Sequence, residues 1–176
     1  SMIGVVMFNT RLKTELQALN SELSMFQQLQ KGIDECLVHV VLDARYTIIE
    51  VNDNFLNMLG YRSEQLMGKA LDQFIPTYVK QLDCYRNLVA AVQKGEPVTD
   101  TYRFLRADGS LAWIRAVWQP LQDESEQLTS IHCVGSDITE SVDTAAENAA
   151  FIQALLRSTA VIEFDLEGHV LKANEQ

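Results

Sequence analysis

The N-terminal segment of the chain carries an apolar row typical of an amphipathic helix. Its members recur at alternating steps of four and three residues, a mean period of about 3.5 residues, as in a coiled coil. They are Leu12, Leu16, Leu19, Leu23, Phe26, Gln30, Ile33 and Leu37. Residues 1–35 are therefore predicted to form one helix, and within the row from Leu12 no residue opposes helix formation before Gly32.

This helix has two interpretations. It packs against its own domain, or it pairs with the same helix of a second copy of the chain. The seam of such a homodimer is predicted to comprise Leu12, Leu16, Leu19, Leu23, Phe26 and Ile33. A polar residue at one seam position can set the register of two paired helices, which suits Gln30.

A second row of the same kind lies near the C-terminus. Its members are Ile138, Val142, Ala145, Ala149, Ile152 and Leu156. They predict a linker helix over residues 140–157. Asp137 and Glu140 have the spacing of a capping box, so Asp137 is predicted to cap this helix.

Between the two rows, segments appear in which the apolar pattern has the two-residue period of β-strands. Two strands are predicted around a turn at Asp43–Tyr46, and a longer helix is predicted from Pro76 to Gln93, ended by Gly95. Three further strands are predicted at 98–106, 111–121 and 128–136. This order of elements predicts an α+β fold, with one five-stranded antiparallel sheet and helices on one of its faces. The two amphipathic helices flank it.

The chain also contains an internal repeat. Residues 40–52 align with residues 162–174 without gaps, so that Asp43 matches Asp165 and Asn52 matches Asn174. Each copy follows a helix with the same apolar period. The repeat predicts one complete domain at 36–139 and the first two strands of a second domain at 158–176, in a fragment of a longer protein.

The composition of the chain argues against some classes of function. The 176 residues carry a net charge of −10 and contain no basic patch, which argues against nucleic-acid binding. The apolar runs are too short to span a membrane. The three cysteines are widely spaced and odd in number, so a disulfide framework is not expected and a reducing, cytoplasmic location is predicted.

The central region resembles the PAS sensory family. The matching segments are Ile49–Asn52 with Phe55, Leu59–Tyr61, Ser63–Lys69, Arg106–Trp113 and Gly135–Thr139. The resemblance implies a five-stranded sheet, a flanking layer of helices and an interior that can hold a small molecule. It also implies that Asp137, Ile138 and Thr139 transfer a signal from the last strand to an output helix. The segment Met7–Leu16 is similar to cytoplasmic bacterial methyl-accepting chemotaxis proteins with tandem PAS units.

The residues restrict the cofactor that such an interior could hold. Flavin photoreceptors of the family form an adduct with a cysteine at the position that Leu71 occupies here, so adduct chemistry is not expected. Residues 54–95 contain no histidine that could ligate haem. Non-covalent flavin or another small ligand stays open, and the cofactor is not identified. His39, His132 and His169 are too scattered to predict a metal site, and His132 is interpreted as a structural or surface residue.

Four residues are predicted to line the interior if it holds a ligand. By the two-residue period, Ile114 and Trp118 share one face of their strand, and Ile131 and Cys133 share one face of the next strand. Simple core packing is the alternative interpretation of these four residues.

Enzyme signatures are absent from the sequence: it has no phosphate-binding glycine loop, no nucleophile elbow and no catalytic residues that can be assigned. We therefore expect a sensory module of a chemotaxis receptor that acts as a homodimer and passes its state to a downstream signalling domain. The sensor of a histidine kinase or of a diguanylate cyclase is one alternative. A dimerisation module without a ligand is the other.

Overall fold

The computed structural model describes residues 1–158, 162–164 and 170–173, and the side chains of residues 1–157. The helices are α1 Met2–Cys36, α2 Asp53–Leu59, α3 Ser63–Leu66, α4 Asp83–Lys94 and α5 Thr139–Ser158. The strands are β1 Val38–Asp43, β2 Ile48–Val51, β3 Val98–Leu105, β4 Leu111–Gln122, β5 Leu128–Asp137, β6 Ile162–Phe164 and β7 Val170–Ala173.

The first five strands form one antiparallel sheet in the order β2-β1-β5-β4-β3. The first and last strands of the domain therefore lie side by side at its centre. A tight turn joins β3 to β4, and Gly109 occupies it with a φ of 83°, a conformation that strongly favours glycine. The α+β prediction, with its five-stranded antiparallel sheet and terminal helices, is confirmed.

The core lies between one face of this sheet and α2, α3 and α4. Along β4 the alternate residues Ala112, Ile114, Ala116 and Trp118 are buried, as the two-residue period requires. Phe55 and Leu59 on α2 and Leu88 on α4 cover them from the helix side. Each fully buried large apolar side chain contributes about 1.5–3 kcal/mol to folding, so this face supplies most of the stability.

Helix α1 is longer than its apolar row, since it begins at Met2 and continues through Gly32 to Cys36. Its C-terminal end is fixed by side chains of the α2 region. Asn52 donates from Nδ2 to the Leu37 carbonyl at 2.7 Å, and Asn54 donates to the carbonyls of Asp34 and Leu37 at 2.9 Å each. These amides satisfy carbonyls that the end of a helix leaves without partners.

The prediction of a single helix from Pro76 to Gln93 is wrong. A 3₁₀ turn occupies Thr77–Gln81, and α4 begins separately at Asp83. The break is at Leu82, which is extended at φ −81° and ψ 154° and packs against the core. Burial of this side chain outweighs helix continuity, and Asp83 suits the first turn of the new helix. Gly95 ends α4 in the left-handed region, as predicted.

The chain divides into two compact units between Asp137 and Ile138. In the second unit, β6 and β7 pair with Ile162 opposite Ala173 and Phe164 opposite Val170, with a register shift between Glu163 and Phe164. The β1–β2 hairpin has its register shift at the corresponding position, between Val41 and Leu42. The predicted matches at Asp165 and Asn174, and also His169, lie outside the described residues.

Candidate functional site

The junction between β5 and α5 contains the three residues predicted to transfer a signal. Asp137 is the last residue of β5, and Thr139 is the first residue of α5, so Ile138 alone separates strand from helix. Because α5 begins at Thr139, Ile138 holds the N-cap position and Asp137 lies directly before it, so capping by Asp137 stays a prediction. Thr139 is 6% exposed, and the Val142 amide donates to the Ile138 carbonyl at 3.0 Å.

Asp137 faces a basic residue within the first unit. Its Oδ2 lies 3.9 Å from Nη2 of Arg106, which follows β3 directly. Arg106 Nε is buried and has no hydrogen-bond partner among the described residues. The ion pair is partly exposed, so its contribution to stability is small, about 0–1 kcal/mol. Its position matters more than its energy, because it ties the β3–β4 turn to the end of the strand that leads to α5.

A surface cleft of about 350 Å³ opens beside this pair. It is lined by Asn57, Met58, Leu59, Gly60, Arg106, Ala107, Asp108 and Asp137. The Ala107 amide donates to the Leu59 carbonyl at 2.9 Å, which holds the turn against the end of α2. Helix α2, the β3–β4 turn and the end of β5 therefore meet at one place.

The four residues predicted to line the interior come together on the core face of the sheet. Ile114, Trp118, Ile131 and Cys133 are each at most 1% exposed, and Trp118 lies opposite Cys133 in the β4–β5 ladder. Burial raises the pKa of the Cys133 thiol far above its ordinary value, so the thiol stays protonated and unreactive. Packing explains all four positions, and their role toward a ligand stays a prediction.

Two buried polar atoms in this interior have no hydrogen-bond partner within residues 1–157. Tyr102 packs edge-to-face on Trp118, with ring centroids 5.8 Å apart. The Tyr102 hydroxyl and Trp118 Nε1 are buried and have no hydrogen-bond partner among the described residues. Burial, followed by the nearby Asp100 carboxylate, raises the pKa of Tyr102 well above its ordinary value, so the hydroxyl keeps its proton. Both atoms can donate a hydrogen bond, so each could bind a polar atom of a molecule held in the interior.

The predicted dimer seam is largely exposed. Leu12, Leu16, Leu19, Leu23 and Phe26 are between 40% and 61% exposed, whereas Ile33 is half-buried near the C-terminal end of α1. An exposed apolar row of this length is typical of a surface that contacts a partner. The homodimer itself stays a prediction.

A histidine pair, which the sequence interpretation missed, lies on the face of the sheet opposite the core. His39 on β1 and His132 on β5 approach to 3.1 Å between ring nitrogens. The interpretation of His132 as a structural or surface residue is compatible with this contact but does not include it. Strand alternation places both residues on the outer face, but only the pairing of β1 with β5 brings them together.

Two classes of site are absent from the described part of the chain. None of its helices has the length and apolar character that crossing a membrane requires. Its histidine, cysteine, aspartate and glutamate side chains form no group of three or more that could hold a metal ion.

Residues 35–140 match the PAS domain family. Because the match covers more than half of the chain, the protein belongs to the PAS domain family, and residues 35–140 form a sensory signalling domain. Over 144 residues, the chain is 32% identical to the biofilm dispersion protein BdlA of Pseudomonas aeruginosa. This alignment covers 82% of the chain but 34% of BdlA, so the chain spans about a third of that relative.

Solved structures agree on the fold. The PAS domain of a Colwellia psychrerythraea protein is 25% identical, with a TM-score of 0.57, and the match covers 66% of this chain and 98% of that one. An RNA-binding light-oxygen-voltage receptor is 20% identical, with a TM-score of 0.55, over 70% of this chain and 36% of that one. A light-oxygen-voltage domain studied with a flavin analogue gives 18% identity and a TM-score of 0.55, over 74% and 96% of the two chains. The last two similarities concern the fold alone.

Proposed function

We propose that this chain is the sensory PAS module of a cytoplasmic chemotaxis-type receptor, and that it relays its state through Asp137, Ile138 and Thr139 into α5. The observation that carries the proposal is the direct passage from β5 to α5. With Ile138 alone between strand and helix, a small shift or twist of β5 must change the start of α5. A longer loop would absorb such a shift.

The Arg106–Asp137 ion pair also supports the proposal, because it links the PAS domain to the junction. A change that reaches the β3–β4 turn or the end of α2 alters the position of Arg106, and Arg106 acts on Asp137. For the relay to work, the stimulus must favour one arrangement of this junction over another. The cleft beside Arg106 is where we expect the two arrangements to differ most.

The output is proposed from the N-terminal segment and from the curated relative. Met7–Leu16 is similar to chemotaxis receptors, and the name of BdlA refers to biofilm dispersion. A receptor that influences movement or surface attachment fits both. A histidine kinase or a diguanylate cyclase with the same PAS module is the alternative, and the domain that receives the signal from α5 distinguishes them.

The dimer is part of the proposal. Two copies of α1 that pair along the seam from Leu12 to Ile33 would bury an apolar row that a single chain exposes. Parallel pairing would also bring two PAS domains to the same end of the paired helices. The β6–β7 hairpin repeats the register shift of β1–β2, which supports a second PAS domain that opens at residues 158–176.

The relay is tested in the full-length protein by replacing Asp137 with Asn. We expect Asp137→Asn to change the basal signalling output severalfold while leaving the thermal unfolding temperature within about 3 °C. The matched control is Asp143→Asn, which makes the same charge change on the surface of α5. Equal output in Asp137→Asn, Asp143→Asn and the natural protein would refute the relay.

A dimerisation module without a ligand is a second candidate, because the four predicted lining residues are packed as core. An absorbance spectrum of the natively purified protein, followed by mass spectrometry of a denatured extract, separates the two. A bound flavin or other small molecule would reject this candidate. Protein that yields no small molecule, and whose stability no candidate ligand changes, would support it.

A further inference from the structure

The histidine pair on the outer face of the sheet is part of a longer network. His39 Nε2 lies 3.1 Å from His132 Nδ1, and the two rings stack with centroids 5.4 Å apart and an interplanar angle of 29°. His39 is 4% exposed, whereas His132 is half-buried. The two rings are diagonal neighbours, because His39 pairs with Val134 while Val41 pairs with His132.

Helix α1 contacts the other nitrogen of His39. Gln30 Nε2 lies 3.3 Å from His39 Nδ1, and the same amide nitrogen lies 3.3 and 3.4 Å from the two carboxylate oxygens of Asp34. Asp34 Oδ1 is itself 3.9 Å from His39 Nδ1. The network therefore runs from the C-terminal end of α1, through β1, to β5.

These contacts fix where the protons lie. Since the Gln30 amide donates to His39 Nδ1, the proton of neutral His39 is on Nε2 and is donated to His132 Nδ1. The proton of neutral His132 is then on Nε2. Both nitrogens of His39 and Nδ1 of His132 are each a donor or an acceptor in one of these hydrogen bonds. The hydrogen bonds are therefore all formed when both rings are neutral.

An added proton must break one of these links. On His132 Nδ1 it would face the N–H of His39, and the bond between the two rings would be lost. On His39 Nδ1 it would face the amide N–H of Gln30, and His39 would then have to take Asp34 as its partner in place of Gln30. Either site of protonation removes a contact between α1 and the sheet or between the two strands.

Neighbouring groups shift the pKa of His132 in opposite directions. Burial, followed by the neighbouring His39, lowers the pKa of His132 below its ordinary value, while Glu50 on β2 partly offsets this shift. On α1, the Asp34 carboxylate lies 3.9 Å from His39 Nδ1, and on β4 the residue opposite His132 is the neutral Gln119. Asn52 and Asn54 also hold the end of α1, and neither titrates.

We propose that Gln30, His39 and His132 form an acid-sensitive latch that holds the last turns of α1 against the sheet and loosens when the histidine pair takes up a proton. This inference is independent of the relay through α5, because it concerns how α1 is attached to the domain. The asparagine contacts remain after protonation, so the end of α1 loosens and does not detach. Its consequence is a PAS domain whose N-terminal helix responds to mild acidification.

The test is backbone amide exchange in the 176-residue chain, measured by NMR at about pH 7.5 and about pH 5.5 and divided by the intrinsic chemical rate at each pH. We expect the corrected exchange of residues 31–37 to rise at least about threefold at the lower pH, together with titration of the His132 ring. In the double variant His39→Gln, His132→Gln, which has no titrating ring in the network, we expect no pH-dependent change. The same rise in this variant would overturn the latch, as would histidine protonation without any change in α1.

Two further variants test the latch even where the double variant folds poorly. Gln30→Glu places a carboxylate beside His39 Nδ1, so a protonated His39 keeps a partner at position 30 and the acid-induced rise in exchange should be abolished. Glu50→Gln removes a carboxylate near His132 and should move the pH midpoint of the rise to a lower value. Loss of stability alone would do neither, so a rise that persists in Gln30→Glu, or a midpoint that is unchanged or higher in Glu50→Gln, would reject the proposal.

Discussion

The two faces of the five-stranded sheet have different roles. The inner face is largely apolar and buried, with Trp118, Ile114 and Cys133 each at most 1% exposed. The outer face contains the hydrogen-bonded pair of His39 and His132, and Arg103 stacks over the ring of Trp113 at 4.2 Å. The inner face therefore determines how stable the domain is, while the outer face and the ends of the strands determine what the domain is connected to.

The strongest test of this difference is truncation on the inner face. Trp118→Ala should lower the free energy of unfolding by about 3–5 kcal/mol, since it removes a large buried ring and leaves a cavity. Urea denaturation followed by circular dichroism measures the loss. Trp118→Phe is the matched control and should cost clearly less, because it keeps an aromatic ring and removes an N–H that has no partner among the described residues. Equal losses in the two variants would show that the indole N–H is important.

A smaller loss is expected where the strands approach most closely. A Cβ added at Gly135 would overlap the Arg115 carbonyl oxygen and the Cβ of Ala116. Gly135→Ala should therefore lower the free energy of unfolding by about 1–3 kcal/mol through overpacking. Ser136→Ala, at the exposed neighbouring position, is the control and should stay within about 0.5 kcal/mol of the natural chain. A neutral Gly135→Ala would mean that β4 and β5 can move apart at little cost.

A still smaller effect is expected from pH on the outer face. Burial and then His39 lower the pKa of His132 in the folded chain below the ordinary value of 6.5, against the effect of Glu50. Above that ordinary value both states are neutral at His132, and its contribution to stability is complete. As the pH falls through this value, the unfolded chain takes up the proton first, so stability declines until the folded state also protonates. Urea midpoints between about pH 5 and about pH 8 should decline less steeply toward acid in His132→Gln than in the natural chain.

The least effect on stability is expected along α1. Leu19→Asp with Phe26→Asp should leave the domain folded, because both side chains are about 61% exposed in the single chain. The same double variant should convert a dimer into a monomer, because buried unpaired charges at the seam cost several kcal/mol. Light scattering measures the mass, and circular dichroism checks the fold. A double variant that remains dimeric would place the dimer interface elsewhere.

The inner face could be predicted from the sequence because its signals are local. Apolar alternation identified the strands, Gly95 identified the end of α4, and the PAS motifs implied one five-stranded antiparallel sheet, although not its strand order. The break at Leu82 was missed, since a local pattern does not reveal that the core takes up this side chain and interrupts the helix.

The outer face could be predicted much less well. His39 and His132 are 93 residues apart, and their contact depends on the register between the first and last strands. Arg106 and Asp137 meet for a similar reason, because a turn and a strand end are brought together only by the complete sheet. Alternation could have placed both histidines on the outer face, but their distance required the fold.

The central claim is that a change in the PAS domain reaches α5 through the junction at Asp137. It is tested most directly by amide chemical shifts of the natural chain and of Arg106→Gln, with Arg103→Gln, the same charge removal on the outer face of β3, as the matched control. We expect Arg106→Gln to shift amides beyond Thr139, along α5 as far as about residue 150, and Arg103→Gln to leave them unchanged. Shift changes that end at Asp137, or that are equal in the two variants, would contradict the relay.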